Sequence, residues 1–493
     1  MRGEMARGAA WMVLFRLFDR SVGIVSTAIL ARVLIPADFG LVAMAMSVIA
    51  IIELVTAFGF DIALIQKQNP AREHYDTAWT LNLLVTAAGA TLTAALAYPA
   101  SAYYGDPRLA PVMLAISAAW LVSGFANVGT VDFRRNLDFA TEFRMLAIRR
   151  VITFVVTMGA AWLFKSYWAL IIGTAAGRIS GLALSYAMHP FRPRLSLKYT
   201  RELLSFSGWI LLSSLAGVLL SRVPHFFIGR NFGAQGLGAY TVSAEIALLP
   251  QTELVAPINR ALFPAYARMV SDLDAFRRTS VEATTAIFLF ILPISIGVAL
   301  MAPEIVRLLL GAQWAEAVPI IQVLSFAGAV SALTSNSMSV YQALGRPRLS
   351  TWVLLTRMAI LFAALLLIAT RYGAIGVAYA ELCAALGSLL VSVPLLCSTL
   401  QMPMRTYFGS LLRPVVASTM MGAALYYLQP PAPADISVLD SVVRLLSGSL
   451  LGALIYPLCV ALLWFLSGRH EGVETLVYRK CRDEIALRMR RSA

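Results

Sequence analysis

The sequence predicts an all-α polytopic membrane protein of about fourteen transmembrane helices, arranged as two six-helix lobes plus a C-terminal helix pair. Three observations predict it. Hydrophobic residues make up 59% of 493 positions and mean hydropathy is +0.75, too apolar for the surface of a soluble globule of this length. Apolar runs of roughly 20 residues recur from end to end, each able to cross about 30 Å of hydrocarbon as a helix. The stretch from Arg32 to Gly40 returns from Arg230 to Gly238, which signals an internal duplication.

Lipid gives backbone amides no partner, so each run must close its own hydrogen bonds as a helix. Gly, Pro and charged punctuation sets the spans near 9–33, 40–65, 78–100, 109–131, 148–165, 168–188, 204–229, 237–262, 283–301, 316–343, 350–370, 373–397, 410–428 and 441–467. The first begins too polar, and runs too long, for a cleaved signal peptide. The second lies between Pro36 and Lys67, and the third and fourth meet at the turn containing Gly105 and Pro107. Lys165, Ser166 and Tyr167 leave a very tight turn between the fifth and sixth. Pro224 falls in the seventh span, while Pro250, Pro257 and Pro264 recur in the eighth. Each proline removes a helix hydrogen bond and permits a bend. The connections near 302–315 and 429–440 are the largest of their side, yet both are short.

The net charge of +14 would suit nucleic-acid binding in a soluble chain, but the basic residues sit in short loops and one tail. Every second connection is basic, which fits the positive-inside rule and places both termini in the cytoplasm. Nucleic acid is therefore not an expected partner. The expected division is an N-terminal lobe at 1–200, a second lobe at 201–400, an additional helix pair at 401–467 and a basic cytoplasmic tail at 468–493. That tail alternates charges and aliphatics, as would a basic helix lying on the anionic inner surface. An offset of 198 places Glu53 against Gln251, Asp61 against Asn259 and Leu64 against Leu262. PVMLAIS in the first half is likewise matched by PIIQVLS in the second. Six spans separate the copies, so they share one orientation, with the substrate site expected between the halves.

Cys383, Cys397, Cys459 and Cys481 show no paired spacing, and His74, His189, His225 and His470 lie far apart, so neither a disulfide frame nor a metal site is expected. No nucleophile elbow, phosphate-cradling loop or other catalytic constellation stands out, and no cofactor is expected.

Charges inside spans are the sharpest functional signal, since each costs several kcal/mol at mid-bilayer unless paired or hydrated. Arg16, Asp19 and Arg20 lie in the first span, with Asp19 beside Arg16 at i,i+3. Glu53 and Asp61 lie in the second, Arg222 in the seventh, and Glu245, Glu253 and Arg260 in the eighth. Arg357 and Glu381 belong to the eleventh and twelfth. Guanidinium groups bind phosphate bidentately at any working pH, which makes Arg16, Arg20, Arg222 and Arg260 candidates for a diphosphate head group. Asp19, Glu53, Asp61, Glu245 and Glu381 are either counter-charges or sites of proton or sodium coupling. Structural ion pairs and snorkelling from helix ends compete with both readings.

The segment LARVLIPADFGLVAMAMSVIAIIELVTAFGFDIALIQKQ resembles the opening of bacterial Wzx-type polysaccharide-unit flippases, of the multidrug/oligosaccharidyl-lipid/polysaccharide (MOP) exporter superfamily. Pro36, Asp38, Phe39 and Gly40, then Phe58, Gly59 and the run Ala63 to Gln66, are closest to the colanic-acid and xanthan branch. YDTAWTLNLL, YYGDPRL, GRNFGAQGLGAY and QALGRPR extend the likeness over nearly the whole chain. The resemblance implies an inner-membrane protein with two lobes and a cationic cavity. It also implies alternating-access transfer of an undecaprenyl-diphosphate-linked oligosaccharide to the periplasmic leaflet. The polymerase and chain-length regulator of the same pathway are further candidate partners. A multidrug cation antiporter would need an acid-dominated cavity, which the arginines disfavour. A MurJ/MviN-type peptidoglycan-precursor flippase fits the loop motifs less well. A membrane polysaccharide polymerase usually presents a sizeable periplasmic loop.

Overall fold

The computed structural model describes residues 2–56, 58–67, 69–430 and 437–466. The expected basic tail at 468–493, with Cys481 and His470, lies outside the described residues. Among the described residues all regular structure is helical, as backbone amides in hydrocarbon require. The chain clusters into two compact units, Met1–Thr241 and Val242–Ala493.

The first unit holds α1 (Arg2–Val33), α2 (Pro36–Val55), α3 (Phe60–Gln66), α4 (Arg72–Tyr104), α5 (Leu109–Ser123), α6 (Val131–Arg135), α7 (Phe139–Phe164), α8 (Trp168–Met188) and most of α9 (Thr200–Ala247). The second holds α10 (Ala256–Arg268), α11 (Leu273–Leu300), α12 (Ala302–Ile305), α13 (Ala317–Ala343), α14 (Pro347–Ala364), α15 (Thr370–Thr399), α16 (Met404–Leu428) and α17 (Val438–Leu466). The boundary between units falls inside α9.

The expected spans lie on helix except for breaks within 40–65 and 109–131, and the count of fourteen is not reproduced by length and composition. Nine helices among the described residues are long and apolar enough to cross a membrane, or ten if α5 and α6, bent by 71°, form one span. The expected spans at 9–33, 204–229 and 237–262 fall outside that set. One of the nine, Pro347–Thr399, has 53 residues, about 80 Å of helix and more than twice the hydrocarbon thickness. Gly373 interrupts it at φ 68°, so it holds two expected spans.

Irregular backbone falls at corresponding places in the two repeats. The second expected span breaks between α2 and α3, where Gly59 adopts φ 64°. Its counterpart carries a π-turn at Gln251–Val255, next to Pro250 and Pro257. The π-turn lets the helix continue where the prolines cannot donate.

Small residues let helices approach closely. On α8, Gly173 and Gly177 lie against Thr157 and Thr153 of α7; a β-carbon at those glycines would fall 1.9 and 2.6 Å from the threonine hydroxyls. Lys165, in the left-handed region at φ 46°, makes the tight turn between the two helices. Asp38 fastens that turn: its carboxylate accepts the Tyr167 amide at 3.2 Å and caps α2 by accepting the Ile35 amide at 3.1 Å.

The extended segment after α8 is strapped to the start of α4. Asp76 accepts the Arg194 amide at 2.8 Å, and the Thr80 hydroxyl accepts the Ser196 amide at 3.0 Å. Lys198 pairs with Glu73 at 2.7 Å, and beside the strap Lys67, just after α3, pairs with Glu202 at the start of α9 at 2.6 Å. A polar segment without helix of its own thereby satisfies its backbone donors on one face of α4.

Candidate functional site

In the first unit, Asp19 on α1 reaches α7, where Arg150 Nε lies 3.0 Å from its carboxylate. Arg150 belongs to the interior of α7. Asp61 lies 3.6 Å from Arg134, which also holds Glu142 at 2.5 Å. Arg16 and Arg20 are half-buried on α1, and Arg222 is half-buried on α9 with its Nε enclosed and without a hydrogen-bond partner.

Glu53 has a partner that hydropathy reading overlooks. Arg178 is the eleventh of 21 residues in α8, about 15 Å from either end. Its guanidinium donates to Glu53 at 3.1 Å and to the Ser123 hydroxyl at 3.3 Å, and its Cζ lies 5.9 Å from the Trp120 ring centroid. The signal was present as a lone charge at mid-span in IIGTAAGRISGLALS.

In the second unit, Arg357 on α14 donates to Glu381 on α15 at 3.2 Å and to the Ser331 hydroxyl on α13 at 3.1 Å. Asn259 donates to Ser335 at 2.9 Å, and Asn336 links Thr284 at 2.7 Å with Tyr266 at 3.1 Å. Glu245 and Arg260 are exposed. Glu304, on the short α12, pairs with Arg444 of α17 at 3.1 Å.

Asp19, Glu53, Asp61 and Glu381 thus each have an arginine within 4 Å, while Arg222 keeps an enclosed Nε and Arg260 is exposed. A carboxylate that faces a guanidinium has a counter-charge at hand, and this geometry is common to both readings of these acids.

Residues 29–319 match the family described as polysaccharide biosynthesis protein. The chain belongs to that family. Its relatives include the succinoglycan biosynthesis transport protein ExoT of Rhizobium meliloti, 24% identical over 93% of each chain. The lipopolysaccharide biosynthesis protein WzxC of Escherichia coli is 22% identical, over 80% of this chain and 79% of that one. The fold matches the lipid II flippase MurJ in its inward closed conformation with a TM-score of 0.73 at 13% identity, covering 92% of this chain and 99% of that one. An inward-facing multidrug MATE transporter of the MOP superfamily gives 0.60 at 14% identity, over 78% of this chain and 94% of that one. This member of the polysaccharide biosynthesis family is therefore a multi-pass membrane protein with a MurJ- and MATE-like helical fold.

Proposed function

We propose that this polysaccharide biosynthesis protein is a non-enzymatic flippase. It moves undecaprenyl-diphosphate-linked oligosaccharide repeat units from the cytoplasmic to the periplasmic leaflet by alternating access, supplying exopolysaccharide, capsule or O-antigen assembly. Family membership carries this reading, because relatives named for succinoglycan transport and lipopolysaccharide biosynthesis align along most of the chain. Arginines within apolar helices supply the chemistry an anionic lipid head group requires. The protein sits in the bacterial inner membrane with both termini cytoplasmic, as its basic alternate connections favour. Arg16, Arg20, Arg222 and Arg260 are the candidate diphosphate ligands, and proton or sodium coupling and contact with the pathway's polymerase and chain-length regulator belong to the same proposal.

Reconstitution with a fluorescent diphosphate-linked oligosaccharide tests it: leaflet transfer should exceed that of protein-free vesicles, and equal rates would sink the flippase reading. Arg20→Gln and Arg222→Gln, each checked for membrane expression, test the cationic site. Undiminished polymer export in both variants would remove these arginines from the site while leaving the function standing.

A further inference from the structure

Ser123 and Ser331 stand 208 residues apart, as do Pro111 and Pro319, and Ser117 and Ser325. The two serines therefore occupy equivalent positions in the duplicated helices α5 and α13. In each unit this hydroxyl accepts from an arginine that a glutamate also holds. The trio is Ser123, Arg178 and Glu53 in the first unit, and Ser331, Arg357 and Glu381 in the second. The charged partners come from helices of different rank: α8 and α2 in one case, α14 and α15 in the other. Duplication alone does not produce such a match, since the arginines and glutamates have no shared register. The same three functional groups have been assembled twice on one inherited serine.

Their chemistry narrows the ligand. Glutamate cancels the arginine charge, so neither trio favours a diphosphate over water, and neither favours a cation. What remains is a dense set of donors and acceptors. A guanidinium has five N–H groups, and the serine and glutamate bonds use two. Each carboxylate meets its arginine through one oxygen, and each hydroxyl can both give and take a hydrogen bond. The charged side chains stay partly accessible, at 20% for Arg178, 39% for Glu53, 24% for Arg357 and 17% for Glu381, while Ser331 itself is buried. A neutral polyol requires this combination: adjacent charge-assisted donors and acceptors with no net charge.

We propose that each trio is a hydroxyl-binding subsite for the saccharide portion of the transported lipid, one in each unit. The proposal rests on the flippase reading and adds which part of the substrate these residues take.

The test titrates full-length purified protein with two probes: the lipid-linked repeat unit extracted from cells lacking this protein, and undecaprenyl diphosphate bearing no sugar. The variants Glu53→Met/Arg178→Met and Glu381→Met/Arg357→Met replace each pair by unbranched apolar side chains, a change that buried ion pairs often tolerate. Each should raise Kd for the glycosylated probe about tenfold or more and leave Kd for the bare carrier within about twofold. Equal weakening of both probes would make the trios anion sites, and no change in either would make them structural pairs; both results overturn the proposal. Where a double variant does not fold, Ser123→Ala or Ser331→Ala, which keeps the ion pair, should weaken the glycosylated probe alone by about threefold. No selective loss there overturns it as well. If wild-type protein neither binds nor transfers the glycosylated probe, the flippase reading fails instead.

Discussion

Gly40 and Gly238 touch backbone to backbone, and the contact is reciprocal. A β-carbon on Gly40 would fall 1.6 Å from the carbonyl oxygen of Ala234, and one on Gly238 would fall 1.8 Å from that of Pro36. Pro36 and Ala234 are separated by 198 residues, as are Gly40 and Gly238, so two copies of the repeat meet at a local two-fold. The GLVAM and GAYTV sequences, which start at Gly40 and Gly238, begin with glycine because nothing larger fits there. Backbone atoms cannot swing away, so Gly40→Ala or Gly238→Ala should each cost about 3 kcal/mol or more. Either substitution forces the same two segments apart, and the double variant should lose less than the sum of the singles. Thermal unfolding of the four proteins in detergent measures this, and strict additivity would contradict a shared contact.

The glycines of α8 predict a graded effect. Gly173→Leu should disrupt the α7–α8 pair more than Gly177→Leu, because its β-carbon meets Thr157 at 1.9 Å against 2.6 Å at Thr153. Thr157→Ala should recover part of the first loss, since removing the hydroxyl opens the space. Tryptic sensitivity at Lys165 in membranes reads the separation of the helices, and identical behaviour of the two glycine variants would refute the grading.

The strap on α4 depends on side chains that accept main-chain donors. Asp76 is buried, and Asp76→Ala would leave the Arg194 amide without its acceptor at a cost of about 1–3 kcal/mol. Limited proteolysis in residues 190–199 should accelerate in this variant, while cleavage at 269–272 should stay unchanged. Equal protection in wild type and variant would show that the strap is held by other contacts.

The turn between α4 and α5 predicts a pH dependence. Arg108 donates to both Asp106 oxygens, at 3.0 and 2.7 Å, and these bonds hold the Asp106 carboxyl below its usual range. A depressed carboxyl pKa stabilises the fold fully above the unfolded value of about 3.9, and that contribution fades as pH falls through the folded value. Asp106→Asn should therefore lower the unfolding temperature at pH 7 and narrow the gap to wild type below about pH 4. A gap independent of pH would show that charge is not what Asp106 contributes.

Helix positions and the repeat were legible because both follow from composition along the chain. The apolar runs became helix apart from breaks within the second and fourth, and Arg32 with Gly40 announced Arg230 with Gly238. The break between Val55 and Phe60 was not visible, since a hydropathy window of span length averages over it. The partners of the carboxylates were not legible either. Asp19 meets Arg150, and Glu53 meets Arg178, because helix rotation and packing across more than a hundred residues decide those pairs. The candidate site was therefore readable as a set of charges but not as a set of contacts.

Arg178, centred in α8, also bears on how the chain is made. A lone arginine at the middle of a span resists entry into lipid by about 2.5–3.5 kcal/mol. In the first unit its acid precedes it from the ribosome, so Glu53 is already in the bilayer when α8 leaves the translocon. The second unit reverses the order, and Arg357 must await Glu381 on the helix that follows. Biogenesis of the two halves thus meets its electrostatic obstacle at different moments: one base arrives at a prepared berth, the other must hold its place until its neighbour emerges.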